Sequence, residues 1–225
     1  MSVPFFILLN LIVHYILLLS FIYLSIIGYS QEIRDADGNT YSVIKIKDQL
    51  WFESNLNTTR YTNGDKILHA KKASKWVKQD SLPQCAQHRI KNHKLTYYNW
   101  YIINDKRGVC PTGWKVPSQK DFNELIQALG GTEKAGLRLK NLVVWGDTTK
   151  IKETNVFNAI PTGFINLSGK LAQENIRACW WSMDAQYKET AYSYSIGNMG
   201  EHIIRDKFYK KQGNTIRCMK SLKED

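Results

Sequence analysis

The sequence contains no recognisable catalytic motif. It has no HExxH zinc motif, nucleophile elbow, phosphate-binding loop or dinucleotide fingerprint. Its scattered carboxylates single out no pair for acid–base chemistry. Calcium needs several clustered oxygen ligands, whereas Asp184, Glu189 and Asn198 are only loosely grouped. We therefore expect a protein that is not an enzyme and that carries no metal or other cofactor.

Charged residues are absent from the N-terminus, because no Lys, Arg, Asp or Glu precedes Glu32. Residues 5–27 are almost entirely apolar, and this run is about as long as the ~20 residues that a membrane-spanning helix needs. Gly28 and Ser30 provide the small residues of a signal-peptidase site, with cleavage before Gln31. Residues 1–30 are therefore predicted to be a signal peptide or, if uncleaved, an inner-membrane anchor. In either case we expect an exported protein that is periplasmic, cell-surface or secreted.

Cysteine is sparse, and no two cysteines occur in CxxC spacing, which argues against a thioredoxin-type redox site. The four cysteines are Cys85, Cys110, Cys179 and Cys218. An oxidising compartment allows three complete pairings of four cysteines. Their positions alone do not choose among these pairings.

Basic residues outnumber acidic ones, and the net charge of +11 attracts polyanions and anionic surfaces. No nucleic-acid recognition motif accompanies this charge, so we expect no specific nucleic-acid partner. Residues 64–94 are rich in Lys, Arg and His and are predicted to be a surface insertion with a short helix near residues 70–77. This insertion is either a solvated loop or a polyanion-binding patch. The candidate residues of such a patch are Lys71, Lys72, Lys75, Lys78, Arg89 and Lys91.

The pattern of apolar residues predicts an α+β domain with short antiparallel strands and long loops. Residues 40–46 alternate in polarity and residues 50–52 return, which indicates an opening β-hairpin. One clear amphipathic helix is predicted at about residues 118–130, where Ser118 and Asp121 fit a capping box. A second, shorter helix is predicted over residues 132–139. Residues from 156 onward show the pattern of short strands and turns.

Several short motifs follow one another in a characteristic order. They are DGNTYSVIKI at residues 37–46, YYNWY at 97–101, CPTGWKVPS at 110–118, FNAIPTG at 157–163, WWS at 180–182 and IRC at 216–218. With these motifs the chain resembles the Fibrobacter succinogenes major paralogous domain, a family of exported bacterial proteins, from about residue 35 to residue 220. The resemblance implies one domain over residues 31–225 with a C-type lectin-like fold, similar to that of formylglycine-generating enzymes. It implies no catalytic activity.

The resemblance also implies a disulfide bond between Cys110 and Cys218. Such a bond closes a loop of roughly a hundred residues and contributes up to ~4–5 kcal/mol in the chain-entropy model. Cys85 and Cys179 could then pair by elimination. That second bond stays open, because Cys85 lies in the predicted insertion.

Trp180 and Trp181 are candidate ligand-binding residues. They are adjacent, so on a strand they face opposite sides. One would fill the core, and the other would either lie in the core as well or stack on a sugar ring at the surface. Tyr98 and Asp184 complete the candidate set.

The sequence therefore favours a non-catalytic binding or surface-interaction module. Its expected partner is a glycan or an anionic extracellular polymer, and membrane contact is expected only through an uncleaved N-terminus. Two alternatives are an enzyme on a lectin-like scaffold and a structural component of the cell envelope. The sequence does not determine the oligomeric state.

Overall fold

The computed structural model of the chain describes residues 32–79, 81–146 and 157–223. The predicted signal peptide or anchor, residues 1–30, lies outside these residues. Within the described ranges no helix is both long enough and apolar enough to cross a membrane. The described residues form α-helices and many short, mostly antiparallel strands, which confirms the α+β class.

Most of the strands span two to four residues, whereas a few span six to nine. In the described residues they are β1 (Ile33–Arg34), β2 (Thr40–Tyr41), β3 (Val43–Ile46), β4 (Gln49–Phe52), β5 (Leu68–His69), β6 (Gln84–Ile90), β7 (His93–Tyr98), β8 (Phe164–Ile165), β9 (Leu171–Ala172), β10 (Arg177–Ala185), β11 (Thr190–Gly197), β12 (Ile203–Tyr209) and β13 (Met219–Ser221). The α-helices in the described residues are α1 (Ala73–Lys78), α2 (Gln119–Ala128), α3 (Thr132–Leu139) and α4 (Leu142–Trp145), and a short 3-10 helix spans Trp100–Ile102.

Helix α2 begins and packs as its sequence predicts. Ser118 accepts a hydrogen bond from the backbone of Asp121, and the Asp121 side chain accepts one from the Ser118 backbone, which completes the capping box. Phe122 and Leu125 are buried on its inner face. Helix α3 follows over the predicted residues. A side chain at its Gly136 would meet the backbone carbonyl of His202, so glycine permits the close approach of the helix to that loop.

The opening hairpin forms from β3 and β4, with Lys47 and Asp48 in the turn between them. Strand β13 pairs with the other edge of β4. The last strand of the chain therefore lies beside one of the first. Strands β10, β11 and β12 form a second antiparallel sheet in which neighbouring strands are joined by hairpins.

The predicted insertion at residues 64–94 is more ordered than a surface loop. The short helix predicted there is α1, but the sequence did not indicate β5, β6 or the pairing of β6 with β7. Trp76 and Ala86 are buried in a small core of their own with Tyr97 and Ile165. The expectation of a solvated loop is therefore corrected. Apolar side chains facing inward anchor this segment, while its charged residues face outward.

Residues 213–219 run through the centre of the fold and connect its sheets. Asn214 exchanges backbone hydrogen bonds with Tyr98 at the end of β7. Thr215 accepts a hydrogen bond from Trp181 of β10. Further along, the carbonyl of Cys218 accepts from Phe52 of β4. This segment is thus held on several sides, and its backbone groups are satisfied by strands distant in sequence.

Candidate functional site

The tryptophans proposed as ligand platforms are core residues. Trp180 and Trp181 are 1% and 0% exposed and lie in two different hydrophobic clusters. The indole of Trp180 donates to Oδ1 of Asn55 at 2.9 Å, and that of Trp181 donates to the carbonyl of Tyr98 at 2.7 Å. Neither ring offers a face to solvent. Of the two alternatives that the sequence left open, both rings lie in the core and neither can stack on a sugar at the surface, because the adjacent strand residues face two buried layers.

Tyr98 and Asp184 also serve the fold. Tyr98 is fully buried, and its hydroxyl donates to the carbonyl of Thr58 at 2.7 Å. Asp184 accepts a hydrogen bond from the backbone of Gln119, the first residue of α2. It also accepts one from the Ser182 hydroxyl at 2.9 Å. The Asp184 carboxylate therefore supports the start of α2, and its expected ligand role stays a prediction.

Cys110 and Cys218 form a disulfide bond with their Cα atoms 5.9 Å apart. The bond joins the segment before α2 to the central C-terminal segment. Cys85 and Cys179 are buried free thiols, so the second pairing left open by the sequence does not form. Tyr98 and the segment at residues 214–215 lie between their strands. Three strand spacings amount to roughly 14 Å, which is beyond the reach of a disulfide.

The six basic residues of the proposed polyanion patch are all exposed. Lys71, Lys72, Lys75 and Lys78 lie on α1 or just before it, whereas Arg89 and Lys91 lie at the end of β6 and in the turn that follows. Within the described residues, none of the six forms an ion pair with a carboxylate. The segment therefore presents unpaired positive charge on both α1 and the β6–β7 hairpin.

A polar cleft of about 810 Å³ lies beside the tip of the β6–β7 hairpin. No sequence pattern indicates this cleft, because its lining comes from segments that are far apart in the chain. The described residues that line it are Gly38, Asn39, Thr40, Tyr41, Ser42, Glu53, Ser54, Asn55, Asn57, Asn92, His93, Lys94, Leu95, Asn141, Asn158, Ile160 and Arg217. Six of these are asparagines. Primary amides donate and accept hydrogen bonds, so this lining suits a hydroxyl-rich or anionic ligand.

Charge is unevenly distributed in the cleft. Glu53 is the one carboxylate among the described residues that line it, and it is half-buried. Lys94 and His93 are exposed on the wall formed by β7. Arg217 lies at the floor and is 1% exposed. Among the described lining residues, the cationic side chains of Lys94 and Arg217 therefore outnumber the single carboxylate.

Arg217 is held almost entirely by neutral acceptors. Its Nε and Nη2 atoms donate to Oδ1 of Asn55 at 3.1 and 2.7 Å. Its Nη1 atom donates to the carbonyls of Glu53, Phe52 and Phe157. Burial lowers the pKa of the Arg217 guanidinium to about 9, so it still carries its charge at neutral pH. No carboxylate in the described residues lies within ion-pair distance of it.

Asn55 completes the floor. Its Oδ1 atom accepts three hydrogen bonds, two from Arg217 and one from Trp180. Three donors around one oxygen fix the orientation of the amide, which leaves Nδ2 on the opposite side. Nδ2 is buried and has no hydrogen-bond partner among the described residues. A buried N–H group without an acceptor is costly and marks a position where an acceptor would be stabilised.

The described residues also form other depressions elsewhere on the surface. One of about 570 Å³ is lined by Lys47, Asp48, Lys120 and Glu124, where opposite charges alternate. A smaller one of about 250 Å³ lies between α1 and the β8–β9 hairpin. In the part of the chain that the structure describes, no three His, Cys, Asp or Glu side chains are placed to hold a metal ion.

Comparison with known proteins identifies one family. The model of the Fibrobacter succinogenes major domain matches residues 44–220, which is most of the chain. Searches of curated proteins and of solved structures found no significant match. The matched region contains β4, the β6–β7 hairpin and Arg217, and so most of the cleft lining.

Proposed function

The chain belongs to the Fibrobacter succinogenes major domain family, and on that premise we propose that it is an exported, non-catalytic module that binds an anionic extracellular polymer. A glycan is the polymer class that the cleft favours. The cleft above Arg217 is the proposed binding site, and the exposed basic residues of the β6–β7 hairpin assist it. Export rests on the apolar residues 5–27 and the small residues near position 30.

The observation that carries this proposal is the lining of the cleft. Amide, hydroxyl and cationic groups converge there, and a carboxylate is contributed by Glu53 alone among the described lining residues. Polysaccharides present many hydroxyls and often carboxylate or sulfate groups, which are bound by amide and cationic donors. Arg89, Lys91 and Lys94 on the neighbouring hairpin would attract such a chain from a distance.

The lining also favours binding over catalysis. Glycoside hydrolysis ordinarily uses two carboxyl groups on either side of the scissile bond. Glu53 has no second carboxylate opposite it among the described lining residues. The buried cysteines provide no nucleophile, since burial raises the pKa of both the Cys85 and the Cys179 thiol to about 12.

We also propose the finer fold assignment, a C-type lectin-like domain. The pairing of β13 with β4 supports it, because it brings the two ends of the domain together. The Cys110–Cys218 bond between the region before α2 and the last strand supports it as well. A fold of this kind carries many functions, so the binding proposal rests on the cleft and not on the fold.

Three polymers that share one backbone test the proposal: neutral dextran, carboxymethyl-dextran and dextran sulfate. The purified protein should bind one or both charged polymers and leave dextran unbound, and the affinity should fall as salt is raised. Lys94→Ala should weaken binding by up to about fivefold, the range of an exposed ion pair. Lys120→Ala, in the depression beside α2, is the matched control and should bind like the wild type. Equal affinity for all three polymers would refute the cleft as the site. An equal loss of affinity in Lys94→Ala and Lys120→Ala would refute it as well.

A further inference from the structure

We propose that Arg217 and Asn55 together form the anion-selecting element of the cleft, recognising a carboxylate or sulfate group of the bound polymer. This inference rests on the proposed function, because it concerns the ligand of the same cleft. The inference adds that the choice of an anionic over a neutral polymer depends on the buried residues of the cleft floor and not only on the exposed basic residues around the cleft. Two features of the floor carry it.

The first feature is a buried positive charge with no carboxylate within ion-pair distance among the described residues. Buried arginines are usually paired with carboxylates, because an unpaired charge in a low-dielectric interior is costly. The nearest atoms to the Arg217 guanidinium are instead a side-chain amide and backbone carbonyls. The side-chain carboxylate of Glu53 acts on Arg217 electrostatically. It is half-buried and forms no ion pair with the guanidinium, which binds Glu53 only at its backbone carbonyl. The positive charge of Arg217 is therefore available to attract an anionic group of a ligand in the cleft.

The second feature is the chemical identity of residue 55. An aspartate at this position could accept the same three hydrogen bonds from Trp180 and Arg217, and it would neutralise the guanidinium. Asparagine keeps those bonds through Oδ1 but leaves the charge in place. It also leaves Nδ2 as a buried donor without a partner among the described residues, on a residue that lines the cleft. Both consequences stabilise an anionic oxygen above the floor.

The electrostatic reach of the floor is sufficient for this role. A unit charge a few ångströms below a partly buried surface interacts with a second charge far more strongly than it would in bulk water. Exposed lysines around the cleft are screened by solvent and salt, whereas a buried guanidinium is screened much less. Selection by the floor should therefore persist at salt concentrations that abolish attraction by Lys91 or Lys94.

The substitution Asn55→Asp tests the inference with almost no change of shape. It should leave the protein folded, with a melting temperature no lower than that of the wild type, because the new carboxylate accepts from Arg217. It should weaken binding of the charged dextran that the wild type binds by about tenfold or more. If binding of carboxymethyl-dextran is weakened, the recognised group is a carboxylate; if binding of dextran sulfate is weakened, it is a sulfate.

Glu53→Gln changes the charge of the cleft in the opposite direction. Removing its one described carboxylate should strengthen binding of the same polymer by about threefold. Lys120→Ala again serves as the control. Equal affinities of wild type, Asn55→Asp and Glu53→Gln would overturn the inference while leaving binding by the exposed lysines intact. Failure of the wild type to bind either charged dextran would instead overturn the proposed function itself.

Discussion

Arg217 and Asn55 are 162 residues apart in the sequence, yet Nη2 of the arginine lies 2.7 Å from Oδ1 of the asparagine. Their contact joins the central C-terminal segment to the loop after β4. The same contact forms the floor of the polar cleft. The integrity of the fold and the proposed selectivity of the cleft thus depend on one pair of side chains.

The stability of the protein should depend strongly on Arg217. Arg217→Met removes the donors to Asn55 and to three backbone carbonyls, and it leaves buried acceptors without partners. We expect the free energy of unfolding to fall by at least about 2 kcal/mol. Denaturant unfolding with the disulfide intact measures this. Arg89→Met, at an exposed position, is the matched control, and an equal small effect of both changes would contradict the structure.

The Cys110–Cys218 bond joins two residues with a sequence separation of 108 and closes the loop between them. Replacing both cysteines with alanine should lower the free energy of unfolding by about 4–5 kcal/mol in the chain-entropy model. Adding reductant should lower the stability of the wild type and leave the double variant unchanged. If reductant had no effect on the wild type, the bond would not contribute as described.

The two remaining cysteines should be unreactive in the folded protein. Burial raises the pKa of the Cys85 thiol and of the Cys179 thiol to about 12, and only a thiolate reacts rapidly with alkylating agents. At pH 8 the native protein should therefore show no reactive thiol, whereas the protein unfolded without reductant should show two. A count of zero in the unfolded protein would mean that Cys85 and Cys179 are bonded. A count of four would mean that the Cys110–Cys218 bond is absent.

Asp184 should affect stability rather than binding. Asp184→Ala removes the acceptor for the first backbone N–H of α2 and should cost about 1 kcal/mol, as loss of a helix cap typically does. Glu189→Ala, an exposed carboxylate in the nearby β10–β11 turn, is the control. Binding of charged dextrans should be unchanged in both variants. Loss of binding by Asp184→Ala at unchanged stability would support the ligand role that the sequence suggested.

Local signals in the sequence were sufficient for much of the fold. The capping box at Ser118 and the apolar spacing that follows predict α2, because both depend on residues within a few positions of each other. The alternation of residues 40–46 predicts the first hairpin, although Ser42 separates β2 from β3. Where neighbouring residues determine the structure, the pattern is visible in the sequence.

Other features depend on contacts between distant residues and were not predictable in this way. The β6–β7 hairpin was not predicted, because exposed basic residues are interspersed with the apolar side chains that anchor it, such as Ala86 and Leu95. The doublet Trp180–Trp181 left burial undecided, because its two side chains face opposite sides of β10. The sequence does not show that other segments cover both sides. The cleft gathers asparagines from separate segments, and no periodicity connects Asn55 with Arg217.

The central claim is that the cleft over Arg217 binds the anionic polymer. Titration of ¹⁵N-labelled protein with a short carboxymethylated or sulfated dextran oligosaccharide tests it most directly. We predict that the side-chain amide signal of Asn55 and the backbone signals of Asn92 and Asn158 shift together, with one affinity, while signals near Lys120 stay unchanged. Shifts confined to α1 around Lys72 and Lys75, with the cleft asparagines unaffected, would contradict the account.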